Sequence, residues 1–205
     1  MNRIRLLFEL ADYETKNGNY KKAIESYEEI IALSKGDKRT QHIAHWGIGE
    51  IYLNNKEYDR AKLYLSKAAE LDPLESIYHY LLGCTYTYTN EIENAIFHLD
   101  KAISLDDSVD AYWDQLGWVV GYNRNIDQGI EYLKKALSIN PHNSKTLRDL
   151  CMLYAKEHKW GEAIVCIEEA IKHDPHNHEL IKTQRDIEHF RKLYETSPGI
   201  NRAHN

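Results

Sequence analysis

A seventeen-residue pattern recurs along this chain at an almost constant interval. The segment "EYDRAKLYLSKAAELDP" begins at residue 57, and similar segments begin at residues 91, 125 and 159. A more divergent copy begins at residue 19, so the interval is constant over the last four copies and slightly longer before them. A fixed period of about 34 residues is typical of proteins that stack one small structural element many times. The pattern therefore predicts an array of similar repeats, each packed on its neighbours.

The copies divide most of the chain into repeats of equal length. We place five repeats at 4–37, 42–75, 76–109, 110–143 and 144–177. The last four follow one another without a gap, whereas "KRTQ" at 38–41 separates the first repeat from the second. Loops tolerate such additions at a small cost in free energy. We therefore expect residues 38–41 to lengthen a surface loop.

Each repeat carries the apolar pattern of two helices. In the fourth repeat, Ile126, Ile130, Leu133 and Leu137 recur three or four residues apart, as on one face of a helix. Three of the four prolines stand at the ends of repeats, where they terminate helices. The pattern predicts an all-α chain, with helices near residues 4–17, 20–33, 42–55 and 58–71 and onward at the same period.

Small residues recur at fixed places in both helices of a repeat. Gly49, Gly83 and Gly117 occupy the same position in the first helix of successive repeats. The second helix has alanine at one fixed position, except in the fourth repeat, where Gly129 replaces it. Glycine inside a helix costs about 1 kcal/mol relative to alanine. We expect close contact between two helices to offset this cost.

Composition and charge exclude several classes of function. The 205 residues are 42% hydrophobic and 28% charged, which is ordinary for a soluble protein. The net charge of −6 argues against binding a phosphate backbone. No segment approaches the roughly 18 apolar residues that span a membrane. Three cysteines without a CxxC pair favour a reducing compartment. We therefore expect a cytoplasmic protein that does not bind a membrane and for which nucleic acid is a disfavoured ligand.

The second repeat, residues 42–75, resembles the tetratricopeptide repeat. The resemblance is carried by Ile48, Gly49, Tyr52, Tyr58, Ala61, Ala68 and Pro73. The same register extends over all five repeats, which makes the match specific. His45 and His79 depart from the pattern, because the family usually has a large apolar residue there.

This resemblance implies an architecture. The expected fold is a right-handed α-solenoid, or superhelix, of five helix-turn-helix repeats followed by a C-terminal capping helix. We expect a single domain at residues 4–195, in which residues 178–195 form the capping helix. The remaining residues, 196–205, are expected to be a disordered tail.

The resemblance also implies a binding surface. Tetratricopeptide repeats line a concave groove with their first helices and bind peptides or proteins there or at its edges. The groove positions are the second, fifth, ninth, twelfth and thirteenth of each repeat. From them, and from the capping helix, we select Phe8, Asp12, Trp46, Glu50, Tyr80, Tyr88, Asp114, Trp118, Tyr122, Lys145, Arg148, Lys156 and Lys182. Aromatic residues would supply affinity, and charges would orient the ligand. Alternatively, Trp46, Tyr80 and Trp118 pack only on one another.

The implied function is a non-enzymatic scaffold that binds another protein or a peptide segment and needs no cofactor. A homodimer and an RNA-binding helical repeat stay open as alternatives, although the net charge disfavours RNA. A clamp for the carboxylate of a chaperone tail is disfavoured, since the corresponding positions carry Phe8, Asp12, Gly47, Ile77 and Leu81.

Catalytic and metal-binding motifs do not emerge from the sequence. His173, His176 and His178 crowd around a proline-containing turn, without the i, i+4 spacing that directs two imidazoles at one ion. Cys151 occupies a small-residue position, so we expect it to be buried and inert.

Overall fold

The computed structural model of the protein describes residues 3–196, and this part of the chain is helical throughout, without a strand. Its eleven helices are α1 Arg3–Lys16, α2 Tyr20–Leu33, α3 Lys38–Asn54, α4 Tyr58–Leu71, α5 Ser76–Tyr88, α6 Ile92–Leu105, α7 Asp110–Asn123, α8 Ile126–Ile139, α9 Ser144–Lys156, α10 Trp160–His173 and α11 His178–Thr196. The prediction of an all-α fold is confirmed.

The helices follow the period that the sequence predicts. Both α2 and α4 have the predicted bounds, and α1 is displaced by one residue. The predicted capping helix is α11, which ends at Thr196. The rest of the predicted tail lies outside the described residues.

The prediction of a surface loop at residues 38–41 is wrong. These residues form the first turn of α3, which begins at Lys38. The side chain of Asp37 caps this turn, because it accepts hydrogen bonds from the backbone nitrogen of Thr40 at 3.3 Å and from its hydroxyl at 2.6 Å. A capping aspartate satisfies an otherwise unpaired donor of the first turn, so the added residues extend the helix.

The chain forms two compact units. The first ends at Asp107 and contains α1–α6, and the second begins at Ser108 and contains α7–α11. Within each unit, every helix packs against the next helix along the chain. In the second unit, α9 also contacts both α7 and α11. These three helices therefore share one side of the second unit.

Glycines allow the two helices of a pair to approach closely. A Cβ atom placed on Gly49 would lie 2.7 Å from Cγ of Leu65, and one on Gly83 would lie 2.6 Å from Cγ of Leu99. Atoms of this kind do not approach within 3.0 Å in real structures. The predicted close helix contact is therefore confirmed at these positions, and the two leucines are fully buried.

The backbones of α7 and α8 also approach each other closely at Gly129. A Cβ atom on Gly129 would lie 2.3 Å from Cα of Gly121 and 2.7 Å from the carbonyl oxygen of Gly117. Backbone atoms cannot rotate away as a side-chain end can. The usual alanine is therefore replaced by glycine here because two helix backbones touch.

We predict that Gly129→Ala destabilises the second unit by on the order of 1–3 kcal/mol, although alanine is the better helix former. Gly161→Ala is the matched control, since nothing lies within 4 Å of a Cβ atom at that helical position. The control should keep or slightly raise stability. Urea unfolding followed by circular dichroism measures both. Equal stabilities of Gly129→Ala and the parent would contradict the close contact.

The first unit contains a partly buried cluster of histidine and tyrosine rings. The Nδ1 atoms of His79 and His98 lie 3.1 Å apart, and the His98 ring stacks on Tyr86 with centroids 5.3 Å apart. Burial, together with the neighbouring His79, lowers the pKa of His98 to about 4. Burial also lowers the pKa of His79. Both rings are therefore neutral in the folded protein near pH 7.

This cluster predicts a loss of stability in weak acid. Unfolded histidine takes up a proton near pH 6.5, whereas folded His98 stays neutral down to about pH 4. Its contribution is therefore present above pH 6.5 and is lost as the pH falls towards 4, by on the order of 1–3 kcal/mol. Urea midpoints between pH 7 and 4.5 should fall less steeply for His98→Phe than for the parent or for the exposed-site control His189→Phe. Parallel profiles for all three would refute this assignment.

Candidate protein-binding pocket

The second unit contains an open pocket of about 670 Å³ along α7, α9 and α11. Most of its lining is aromatic or aliphatic, and its principal side chains are Trp118, Tyr122, Met152, Phe190, Leu193 and Tyr194. Four of them are substantially solvent-exposed: Tyr122 56%, Met152 42%, Phe190 57% and Leu193 47%. An exposed apolar concavity of this kind is typical of binding sites.

The repeat period brings the lining residues together. Trp118 on α7 and Met152 on α9 occupy the same position in successive repeats. Tyr122, Lys156 and Phe190 form a second series with the same interval. Since α9 packs against both α7 and α11, equivalent positions of the three helices become neighbours. The selected residues Trp118, Tyr122 and Lys156 all line the pocket.

One side of the pocket is built around Tyr122. Its ring stacks on Trp118 with centroids 5.2 Å apart. The ammonium group of Lys156 lies 4.4 Å from the centroid of the same ring and donates a hydrogen bond of 2.7 Å to the Tyr122 carbonyl oxygen. A cation over an aromatic face is stabilising, and this one also fixes a cationic group at the pocket rim.

The opposite side consists of residues from the turn before α10 and from α11. His158 has a φ of 57°, in the left-handed region. Its ring stacks on Tyr194 with centroids 4.4 Å apart, and Trp160 lies 5.8 Å from Tyr194. These contacts pack the end of α11 against the turn, so this wall depends on the capping helix.

Asp114 does not lie exposed in a groove, and the prediction of an available acid at this position is wrong. It is 4% exposed and forms an ion pair with Lys145. Lys145 also binds the buried Asp149 at 3.0 Å. Burial raises the pKa of Asp114, whereas the ammonium group of Lys145 opposes this shift. The carboxylate therefore serves the contact between α7 and α9.

Arg148 is also engaged within the protein. Its guanidinium group binds Asp149 at 3.0 Å and Glu179 of α11 at 2.6 Å. Two of the four bases selected for orienting a ligand, Lys145 and Arg148, thus connect helices. Lys182 is exposed on α11 but does not line the pocket. Lys156 is the selected base that reaches the pocket rim.

The other selected residues lie in the first unit, where they occupy different environments. Phe8 packs edge-on against Tyr27, with ring centroids 6.2 Å apart. Asp12 is exposed and binds Lys16 of the same helix at 2.7 Å. Tyr80 is half-buried. Both Phe8 and Asp12 are therefore engaged by neighbouring side chains.

The remaining aromatic residues of the first unit divide into packed and exposed members. Trp46 lies against Tyr78, with centroids 6.3 Å apart. Tyr88 is 65% exposed and stacks on Tyr58 at 5.2 Å. Tyr88 is therefore the selected aromatic of this unit with the largest surface available to a partner. The selected acid Glu50 is half-buried, and this burial raises the pKa of its carboxyl group.

Sequence reasoning missed the contribution of α11 to the pocket. Phe190 follows Lys156 by one repeat length, so continuing the register into the capping helix would have found it. Tyr194 and Trp160 also line the pocket. Trp160 does pack against buried core residues, so it serves both surfaces.

In residues 3–196, no group of three or more His, Cys, Asp or Glu side chains is arranged to hold a metal ion. None of the helices in that range has the length and apolar character needed to cross a membrane. Cys151 is buried as expected, and burial raises its thiol pKa to about 12. Such a thiol is a poor nucleophile.

Two known protein families match parts of this chain. The family described as anaphase-promoting complex, cyclosome, subunit 3 matches residues 16–102, and the family described as tetratricopeptide repeat matches residues 123–184. These matches cover helix pairs on both sides of Asp107. The chain is a tetratricopeptide-repeat protein. No curated protein matches its full sequence at a significant level.

Solved structures share the tetratricopeptide-repeat fold. MamA is 22% identical with a TM-score of 0.70, and the match covers 80% of this chain and 94% of MamA. YrrB, a TPR protein with an unusual peptide-binding site, is 19% identical with a TM-score of 0.69, and the match covers 91% of each chain. A chain of the APC/C hetero-tetramer Cut9-Hcn1 is 18% identical with a TM-score of 0.76 over 88% of this chain and 35% of its own. The TM-scores show a shared fold, and with identities of 22% or less the likeness extends to the fold alone.

Proposed function

We propose that this tetratricopeptide-repeat protein is a non-enzymatic scaffold that binds a segment of another protein in the pocket of the second unit. The exposed apolar lining carries the proposal, because Phe190 and Tyr122 are each more than half exposed although both are large aromatic residues. Aromatic side chains in a concave surface commonly dominate binding energy. YrrB, whose fold is similar, has a peptide-binding site, and this supports the assignment.

A helical ligand suits the pocket better than an extended one. The lining backbone belongs largely to helices α7, α9 and α11, whose internal hydrogen bonds already occupy its donors and acceptors. An extended ligand would bury peptide groups against Trp118, Met152 and Phe190, which offer few partners. An amphipathic helix satisfies its own backbone and presents apolar side chains three or four residues apart. The ligand class is therefore an amphipathic helix with an apolar face.

Charge at the rim sets the orientation of this ligand. Lys156 and Asp186 both line the pocket, on α9 and α11 respectively. An acidic residue of the ligand near Lys156 and a basic residue near Asp186 would fix its direction. Exposed pairs contribute only about 0–1 kcal/mol each, so the apolar contacts supply most of the affinity.

A display library of amphipathic helical peptides, selected against the full chain, tests the proposal. We expect selected peptides to lose at least about 1 kcal/mol of binding free energy when Phe190→Lys is measured by titration calorimetry. Phe97→Lys is the matched control, because Phe97 is 65% exposed on α6 in the first unit. It should leave affinity unchanged. The assignment fails if no peptide is selected, or if both variants bind as the parent does.

A further inference from the structure

The outer face of α1 carries three exposed apolar residues in a row. Leu6, Leu10 and Tyr13 are 42%, 45% and 62% exposed. They are separated by four and three residues, so they form one stripe on the helix. The opposite side of α1 buries Ala11 completely and packs against α2. We call the stripe of Leu6, Leu10 and Tyr13 the α1 outer face.

The last described helix, α11, has a polar outer face for comparison. Along α11, the outward side carries exposed Arg185, Glu188, Lys192 and Glu195. Terminal helices of repeat arrays need a polar outer surface for solubility. The α1 outer face is apolar instead, and none of the described residues covers it. Contact with a partner would remove this apolar surface from water.

The charges beside the α1 outer face favour a second copy of the same helix. Glu9 and Lys16 are seven residues apart, so both lie on the same flank of the stripe. Like flanks meet when two identical helices pack antiparallel. Glu9 of each copy then faces Lys16 of the other. Both side chains are exposed, and their present partners, Arg5 and Asp12, belong to the same helix.

We propose that two copies of this protein form a two-fold dimer through their α1 outer faces, with reciprocal Glu9–Lys16 ion pairs between the copies. Such an isologous contact closes on itself and produces a dimer, not a filament. One helix face per copy makes a small interface, of the size found in weak complexes. We therefore expect weak association, with a dissociation constant of micromolar order. The pocket of the second unit takes no part in this contact.

Sedimentation equilibrium of the full chain from about 1 to 300 µM tests the dimer. We expect the mass to rise towards that of two copies in this range. Leu10→Lys should raise the dissociation constant at least tenfold, whereas the control Leu63→Lys, at an α4 leucine that is 67% exposed, should leave it unchanged. Circular dichroism establishes that both variants are folded. A parent that stays monomeric at 300 µM overturns the proposal, as does equal behaviour of the two variants.

A charge exchange tests the antiparallel geometry. Glu9→Lys alone places two lysines opposite each other, and Lys16→Glu alone places two glutamates opposite each other, so each should weaken the dimer several-fold at low salt. The double variant Glu9→Lys/Lys16→Glu should restore it, because the reciprocal pairs form again with reversed sign. No restoration overturns the arrangement. Phe190→Lys should leave the dimer unchanged, which separates this result from the proposed function.

Discussion

The contact between a helical glycine and a leucine of the following helix sets the spacing of the helix pairs. Gly49 faces Leu65, Gly83 faces Leu99, and Gly117 faces Leu133 across successive pairs. Any side chain at these glycines would overlap the leucine that the other helix buries. Because the contact recurs once in each of these repeats, the two helices of each pair are held at similar distances. Repetition of this contact thus packs α3, α5 and α7 in the same way against the second helix of their own repeat.

The pocket depends on how α7 and α11 pack beside α9. Rows of equivalent residues on α7, α9 and α11 become neighbours, and in the second unit these rows carry large apolar side chains. The ion pairs of Asp114 with Lys145 and of Arg148 with Glu179 join the same three helices. Asp114 is almost fully buried, so loss of Lys145 would leave its carboxylate without this partner. These charged groups are therefore engaged between the helices that carry the pocket. The residues that join these helices therefore differ from those that we propose to bind a ligand.

The sequence predicts those features that depend on a single helix. Periodic apolar residues place α2 and α4 correctly, since each buried stripe belongs to one element. The start of α3 could not be predicted from the repeat, because capping by Asp37 depends on a local hydrogen bond outside the pattern. Ion pairs between helices could not be predicted from the sequence either. Asp114 appears in the sequence as an isolated acid, and only packing brings Lys145 to it.

A double-mutant cycle on Gly83 and Leu99 tests the helix contact most directly. A Cβ atom on Gly83 would lie 2.6 Å from Cγ of Leu99 but 3.3 Å from the nearest backbone atom, the carbonyl oxygen of Ala95. Gly83→Ala should therefore destabilise the parent, and should cost at least about 1 kcal/mol less in a Leu99→Ala background, where the obstructing atom is absent. Equal costs in the two backgrounds would contradict the glycine–leucine contact as the determinant of helix spacing.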